Sequence, residues 1–302
     1  STQSRSSAAS DVYKRQADIL IYLLLAILIF IMAFPFWNAM ILSFNDGKDA
    51  MMGGIYFWPR KFTLDNYSQA FQNSSIWKAF GISALRTLLA TFLSLLVTSM
   101  FAYAASKPYL KFRRFYMLLL LIAMFFNGGI IPVFLTIRNL GLVNNFLVYI
   151  LPGVFNAFYA QIFISFFKGL PESLFESARI DGGRELTIYF KLVLPLSKSV
   201  LAAVGLFTAV FNWNSWYDNM LYMKNEEMNT LSFLFVKMIK SQETLENLAA
   251  DSGIADLANM GGVSSTSLQL ATMMIAVLPI MCVYPFVQKY FATGMMIGSV
   301  KG

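Results

Sequence analysis

The sequence predicts an all-α membrane protein with six transmembrane helices, and three observations support this. Apolar residues make up 57% of the 302 residues and charged residues only 13%, whereas soluble domains are about 25% charged. The apolar residues lie in runs that approach or exceed the roughly 18–20 residues needed to cross a bilayer. The polar segments between the runs are too short for a separate soluble domain. Residues 18–302 are therefore predicted to form one transmembrane domain.

The first apolar segment spans residues 19–44. At ~1.5 Å per residue it is longer than the ~30 Å hydrocarbon core, so we expect it to tilt or to bend at Pro35. It is also too long for the core of a signal peptide, which indicates a retained helix. Residues 1–17 are rich in serine and show no helical apolar period, so they are predicted to be a disordered tail without functional weight.

Five further apolar segments are predicted, at 76–105, 115–135, 146–167, 200–223 and 267–291. The third is interrupted by Asn127-Gly128-Gly129 and by Pro132. A break in a helix at membrane depth is tolerated only where protein or a water-filled cavity supports the backbone. This break therefore predicts an element that lines or gates a pathway.

Basic residues predict the orientation of these helices. With the N-terminus in the cytoplasm, the cytoplasmic segments carry thirteen lysines and arginines and the outer segments seven, although the outer segments are longer. The positive-inside rule therefore places both termini in the cytoplasm. The segment 168–199 falls on the same side. On the outer side, residues 45–75 predict a structured loop with a short amphipathic helix.

Composition excludes several classes of function. The chain has no histidine and one cysteine, which removes the common metal sites and the histidine-dependent catalytic triads, so no catalytic residue and no metal are predicted. No phosphate-binding Gly-Lys-Ser/Thr is present, so the chain cannot itself hydrolyse ATP. Its positive charge is explained by membrane topology rather than by nucleic acid. An ion-coupled secondary transporter of small polar solutes stays as the alternative, although the second to fourth segments lack the intramembrane carboxylates that such coupling usually needs.

The polar segment 168–199 contains the most specific pattern of the chain. A first short helix after Pro171 is predicted to end at Asp181-Gly182-Gly183, because glycine accepts the left-handed backbone of a helix end. A second helix is predicted from apolar residues at i, i+3, i+4 and i+7, namely Leu186, Tyr189, Phe190 and Val193. It is predicted to end at Leu194-Pro195. These residues alone fit either an amphipathic interfacial loop or a surface that docks into another protein.

The pattern in this segment resembles the EAA loop of ATP-binding-cassette (ABC) importer permeases, which is the coupling helix that sits in a groove of the ATPase. Two residues depart from the usual alanines but stay small, Ser177 and Gly183. The resemblance implies an ATPase-coupling role for Glu176, Ser177, Ala178, Asp181, Gly182, Gly183, Leu194 and Pro195. Glu176 is then a candidate for a charge-assisted contact with the ATPase.

Further motifs extend this resemblance over nearly all of the chain after Ala17. They are Asn127 to Pro132, Leu140-Gly141-Leu142-Val143-Asn144, Leu151-Pro152, Phe166 to Pro171 and Trp213-Asn214-Ser215-Trp216. They are similar to carbohydrate-uptake permeases of the maltose-importer type, and most of all to the subgroup for plant-polysaccharide or uronate oligosaccharides.

This resemblance implies a type I ABC importer permease fold in a bacterial cell membrane. The implied partners are a homologous second permease, two cytoplasmic ATPases and an extracytoplasmic sugar-binding protein. The implied substrate is an oligosaccharide. ATP and Mg²⁺ would be bound by the ATPases, and this non-catalytic chain would bind no cofactor of its own.

Polar side chains inside the membrane are costly and often functional. Aromatic faces together with amides suit a sugar, which makes candidates for a substrate pathway of Asn127, Gly128, Asn156, Asn212, Trp213, Asn214, Trp216 and Tyr217. The competing interpretation is an interfacial aromatic belt with asparagines that join helices. Arg86 is an intramembrane charge that should face the bundle interior, where Asp218 is its candidate partner.

Overall fold

The computed structural model describes residues 2–126, 128–252 and 265–299, and within these ranges the regular structure is helical apart from an isolated bridge between Asn45 and Phe62. The α-helices are α1 (Thr2–Ser43), α2 (Gly47–Met51), α3 (Asp65–Gln72), α4 (Ser74–Ser106), α5 (Arg113–Phe125), α6 (Ile130–Asn139), α7 (Ala157–Lys168), α8 (Glu172–Ile180), α9 (Glu185–Ile188), α10 (Leu194–Leu196), α11 (Lys198–Asn214), α12 (Tyr217–Tyr222), α13 (Leu231–Ser252) and α14 (Ser265–Ser299). Short 3₁₀ helices cover Phe146–Tyr149, Leu151–Gly153 and Glu226–Met228, and a π-helical turn covers Tyr189–Val193.

Three helical stretches are long and apolar enough to cross a membrane, Arg15–Ser43, Ser74–Ser106 and Thr266–Pro285. Three bent pairs of helices raise the number of candidate spans to as many as six, by length and composition. One such pair, Phe146–Gly153 and Ala157–Lys168, bends by 46° at its break. The chain is therefore an all-helical multi-pass membrane protein, while the arrangement as six spans with cytoplasmic termini stays a prediction.

Helix α4 is the centre of one compact unit, which comprises residues 73–241 and 275–302. It packs against α7 and α11. Its buried face consists largely of small residues, which let helix backbones approach closely in a membrane. These residues are Ala79, Ser83, Ala90, Ser94, Thr98, Ser99, Ala102 and Ala105. Gly205 of α11 shows how close the approach is, because a Cβ there would lie 3.2 Å from Cδ1 of Leu95.

A second compact unit comprises residues 1–72 and 242–274. The predicted amphipathic helix of its outer segment is α3. Asn66 of α3 donates from its side-chain amide to the carbonyls of Ser43 and Asn45, at 2.9 and 2.8 Å. Arg60 pairs with the buried carboxylate of Asp49 at 3.2 Å. Polar side chains therefore fix the chain between α1 and α3, as the sequence predicted for a structured loop.

Two helices differ from the segments that the sequence predicted. Helix α1 begins at Thr2 and continues through Pro35, so the structure extends the helix over the segment predicted to be a disordered tail; once a long helix is formed, each added residue gains a hydrogen bond at little cost. The fifth apolar segment, 200–223, is divided at Ser215 into α11 and α12. That a single domain covers residues 18–302 stays a prediction.

Candidate functional site

The segment 171–197 begins with α8, whose end follows the predicted pattern. The helix stops at Ile180, and Gly182 adopts a left-handed backbone with φ of +79°. The N–H of Gly182 donates to the carbonyl of Arg179 at 3.0 Å, and the N–H of Gly183 donates to that of Ala178 at 2.8 Å. These two bonds form a Schellman motif, which satisfies carbonyls that the helix end leaves free.

Gly183 lies so close to its neighbours that no side chain fits at this position. A Cβ at this position would lie 2.6 Å from the carbonyl oxygen of Ala178 and 3.3 Å from Cγ1 of Ile188. Contacts below 3.0 Å force a displacement, here of backbone. The turn therefore brings α9 close to the end of α8, and this close approach requires a glycine at position 183.

One face of this segment is open to solvent in the described chain. Glu176, Ser177 and Asp181 are exposed, and so is the large apolar side chain of Ile180, at 86%. A continuous exposed surface that mixes an acid, small residues and an apolar side chain is typical of a protein interaction site. Of the residues that carry the EAA resemblance, Glu176, Ser177 and Asp181 therefore share this face, whereas Ala178 and Leu194 are half-buried and pack against the core.

The opposite face belongs to the core of the helix bundle. Phe175, Ile188, Tyr189 and Val193 are buried in one cluster with residues of α4 and α7 such as Phe163. The residues of the predicted apolar stripe have two different environments. Tyr189 and Val193 are buried, whereas Leu186 and Phe190 are 61% and 50% exposed.

A π-helical turn, Tyr189–Val193, lies within the predicted stripe. A π turn contains more residues than an α turn, so the strict period used for the prediction does not hold across it. Ile188, which the period did not select, takes a buried position instead. The backbone continues through Pro195 to Leu196, one residue beyond the predicted end, and then turns by 82° into α11.

Glu185 joins this segment to the last turn of α4. Its Oε2 accepts a hydrogen bond from the hydroxyl of Tyr103 at 2.6 Å, and its Oε1 accepts one from the hydroxyl of Tyr109 at 3.1 Å. The guanidinium of Arg179 donates to Oε1 at 3.1 Å and also to the hydroxyl of Tyr109. Next to this cluster, the hydroxyls of Tyr189 and Ser99 lie 2.6 Å apart. We call Glu185, Tyr103, Tyr109 and Arg179 the Glu185 cluster.

The cluster keeps its carboxylate ionised. Burial alone would raise the pKa of Glu185, but hydrogen bonds from Tyr103, Arg179 and Tyr109 outweigh burial and hold that pKa below its ordinary value. Donors that favour the charged form in this way make charge-assisted bonds, which are stronger than neutral ones. The segment is therefore attached to α4 by polar bonds as well as by apolar packing.

The structure places the predicted pathway residues in different environments. Asn127 lies outside the described residues, and Gly128 and Asn214 are exposed. Asn156 caps α7, since its Oδ1 accepts the N–H of Tyr159 at 3.0 Å. Asn212 donates to the carbonyl of Thr208 within its own helix at 2.8 Å.

The three aromatic candidates also divide. Trp213 is buried, its indole N–H donates to the carbonyl of Ala276 at 2.8 Å, and its ring packs on Phe80. Little of its surface is open to solvent, although its side chain lines an apolar cavity. Trp216 and Tyr217 are partly exposed and meet edge to face at 5.8 Å between ring centres. Of the aromatic candidates, these two are open to a ligand.

The predicted pair of Arg86 and Asp218 is present. Arg86 is 1% exposed and donates both to the carboxylate of Asp218 and, at 3.1 Å, to the carbonyl of Ser215. Its guanidinium also lies 4.7 Å from the centre of the Tyr149 ring, a cation–π contact that no sequence pattern predicts. Since Asp218 is engaged in this way, the pair acts first as a bond between α4 and α12.

Known proteins share both the sequence and the fold. The chain is 34% identical over 291 residues to the polygalacturonan/rhamnogalacturonan transport system permease protein YtcP of Bacillus subtilis, covering 95% of this chain and 99% of the relative. It is 32% identical over 282 residues to the arabinooligosaccharides transport system permease protein AraQ of Halalkalibacterium halodurans, covering 92% and 94%. No family model matches the chain.

A solved structure agrees with these relatives. A chain in the crystal structure of a bacterial ABC transporter involved in the import of the acidic polysaccharide alginate superposes with a TM-score of 0.83 at 29% identity, covering 92% of this chain and 97% of that chain. The helical architecture described above is therefore that of an ABC importer permease.

Proposed function

This chain belongs to the permease subunits of sugar ABC transport systems, and from that premise we propose that its segment 176–195 carries the motion of a partner ATPase into the membrane helices. Its relatives are membrane components of such systems rather than their catalytic subunits. The energy for transport would come from ATP, which the partner would bind together with Mg²⁺ and hydrolyse.

The observation that carries the proposal is the two-sidedness of this segment. Glu176, Ser177 and Asp181 lie on an exposed face, while Phe175 on the other side is buried in the bundle core. A loop that only connects two spans needs neither a fixed underside nor an acid and an 86% exposed isoleucine on its outer face. A loop that binds a partner through one face and transmits movement to the membrane helices through the other needs both.

The Glu185 cluster supplies the connection to the membrane. Because Tyr103 is in the last turn of α4, a displacement of α8 and α9 acts on the helix that packs against α7 and α11. Packed cores shift as bodies rather than deform continuously. Closure of the ATPases would thus move the central helices and alternate access to the pathway.

The remaining parts of the assembly follow from the same premise. A homologous second permease completes the pathway, two ATPases bind on the cytoplasmic side, and an extracytoplasmic sugar-binding protein delivers the substrate. The chain would cross a bacterial cell membrane six times with both termini in the cytoplasm, as its basic residues predict. Leu194 and Pro195 would form the corner between the coupling segment and α11.

We assign an acidic oligosaccharide, of the uronate type, as the substrate. The support is that one relative is named for polygalacturonan and rhamnogalacturonan and that the similar solved transporter imports alginate. Trp216, Tyr217 and Asn214 are the candidates whose side chains are open to such a ligand. An aromatic face next to an amide suits a pyranose ring and its hydroxyls.

The complete importer tests this proposal. Permeases and ATPases are reconstituted in proteoliposomes with the binding protein, and ATP hydrolysis and uptake are measured with oligogalacturonate and with a neutral arabino-oligosaccharide of equal length. We expect oligogalacturonate to stimulate both activities. Glu176→Lys should abolish uptake while the subunits still assemble, because the charge at the ATPase contact is reversed.

Asp65→Lys is the matched control, since it makes the same change of charge at the exposed start of α3. It should leave both activities close to those of the wild type. Wild-type uptake by the Glu176→Lys importer would contradict the coupling role. Stimulation by the neutral sugar alone would contradict the assigned substrate and leave the coupling role standing.

A further inference from the structure

A cavity of about 400 Å³ lies beside the Glu185 cluster. Its walls come from the last turns of α4, the segment 107–111 and the start of α9. Met100, Ala104, Leu110 and Leu186 make much of its surface apolar. A cavity of this size and character is typical of a small-molecule site in which a few polar groups fix the orientation of the ligand.

Lys107 is the polar group that needs explanation. Lys107 is only 5% exposed, and its side chain lines the cavity. The ammonium lies 3.2 Å from the centre of the Phe175 ring and 5.0 Å from that of Tyr103. Within the described chain, no carboxylate lies at ion-pair distance from it and no acceptor receives its N–H bonds.

An ammonium has three donors, and aromatic faces accept none of them as an oxygen would. Burial lowers the pKa of Lys107, partly offset by the charges of Glu172 and Glu185. The ammonium reaches the cavity, where water or an anion can complete its environment, and an anion would also offset its charge.

The other charges around the cavity leave room for an anion. Glu185 is already bonded to two tyrosine hydroxyls and to Arg179, which also lies 3.6 Å from Glu172. Lys111, by contrast, lines the cavity, is exposed, and has no partner within the described residues. Glu172 and Glu185 share the guanidinium of Arg179, and Lys107 and Lys111 add two positive charges. The group is therefore net positive and favours a negatively charged ligand.

We propose that this cavity binds the phosphate group of a phosphate ester, and that an anionic phospholipid fits it best. Lys107 receives the phosphate at depth, Lys111 receives it at the mouth, and the apolar walls hold the adjoining chain. Lys107 directly follows the last residue of α4, which is a candidate span, so the cavity opens where the headgroups of a bilayer would lie. The phosphate can come from an anionic phospholipid or from a soluble phosphate ester.

The site does not depend on ATPase coupling, so its test is a binding measurement. The complete importer is extracted from vesicles of equal parts phosphatidylglycerol and phosphatidylcholine, and retained lipid is measured by native mass spectrometry. We expect the wild-type importer to retain more phosphatidylglycerol than phosphatidylcholine. Lys107→Met should weaken it about fivefold, as expected for one basic residue at a membrane surface, while Lys107→Arg keeps it.

Lys168→Met is the matched control, because Lys168 is exposed at the end of α7 and does not line the cavity. It should leave retention unchanged. If Lys107→Met does not assemble, Lys111→Met should show a smaller loss in the same direction.

The source of the phosphate is decided by competition with glycerol phosphate. Displacement of the lipid, or binding of glycerol phosphate that requires Lys107, identifies a soluble ester as a ligand. If the lipid is retained in the presence of glycerol phosphate, the phospholipid is the ligand. The proposal is overturned if Lys107→Met and Lys111→Met change neither lipid retention nor glycerol phosphate binding.

Discussion

The two halves of α4 hold their neighbours by different means. In its first half, Arg86 is 1% exposed and bonded to Asp218 and to the carbonyl of Ser215. In its last turn, Tyr103 donates to Glu185, a carboxylate that is 49% exposed and shared with Tyr109 and Arg179.

The difference lies in how costly each bond is to break. A buried charge that loses its partner has no water to replace it, whereas a half-exposed carboxylate can be solvated. The first bond therefore fixes the bundle, and the second would break and re-form during the movement that we propose for the segment 176–195. The predictions below test this comparison.

The largest effect is expected at the buried pair. Asp218→Leu leaves the Arg86 guanidinium buried without a counter-charge and should cost about 3–5 kcal/mol of stability. The measurement is the thermal unfolding midpoint of the purified importer. Adding Arg86→Met to this variant should recover part of the loss, because the unpaired charge is then removed as well. An unchanged midpoint in Asp218→Leu would show that the pair does not hold the bundle.

A smaller effect is expected at the turn after α8. Gly182 has φ of +79°, where a β-branched residue is strained, so Gly182→Val should cost about 1–2 kcal/mol. Hydrogen exchange of the α8 amides measures the local loss, and uptake should fall with it. Gly182→Asn is the control, since asparagine tolerates this conformation. Equal protection in both variants would argue against the left-handed turn.

The smallest change in stability is expected at Glu185, and it depends on pH. The folded pKa is lowered, so the stabilisation is present above the ordinary pKa of 4.5 and is lost as pH falls through the lowered value. Glu185→Gln should remove this dependence from the hydrogen exchange of α8 and α9. Glu176→Gln, on the exposed face, should keep it. A wild-type pH profile in Glu185→Gln would show that the cluster does not hold the segment.

Local patterns predicted much of this architecture. The two glycines predicted the end of α8, and the apolar runs predicted the main helices. The high cost of a charge inside the membrane predicted that Arg86 pairs with Asp218. Each of these rests on a few neighbouring residues or on a strong physical penalty. The EAA pattern likewise pointed to the face on which Glu176 lies.

The contacts that fasten the segment could not be predicted in the same way. Tyr103 and Glu185 are 82 positions apart, and neither belongs to a pattern that marks it. The burial of Trp213 could not be predicted either, because composition cannot distinguish an aromatic residue in a core from one in a pathway. The π turn at 189–193 displaced the predicted apolar stripe, since periodicity assumes a regular helix.

The central claim is that the exposed face of 176–195 lies in the cytoplasm against an ATPase. It is tested most directly by single cysteines at Ser177 and, as a control, at Ser68 of α3, both exposed, in a Cys282→Ala background. We predict that Ser177→Cys cross-links to the ATPase and is protected from a membrane-impermeant thiol reagent added to intact cells, while Ser68→Cys is labelled. Labelling of Ser177→Cys from outside, or no cross-link in the assembled importer, would contradict the account.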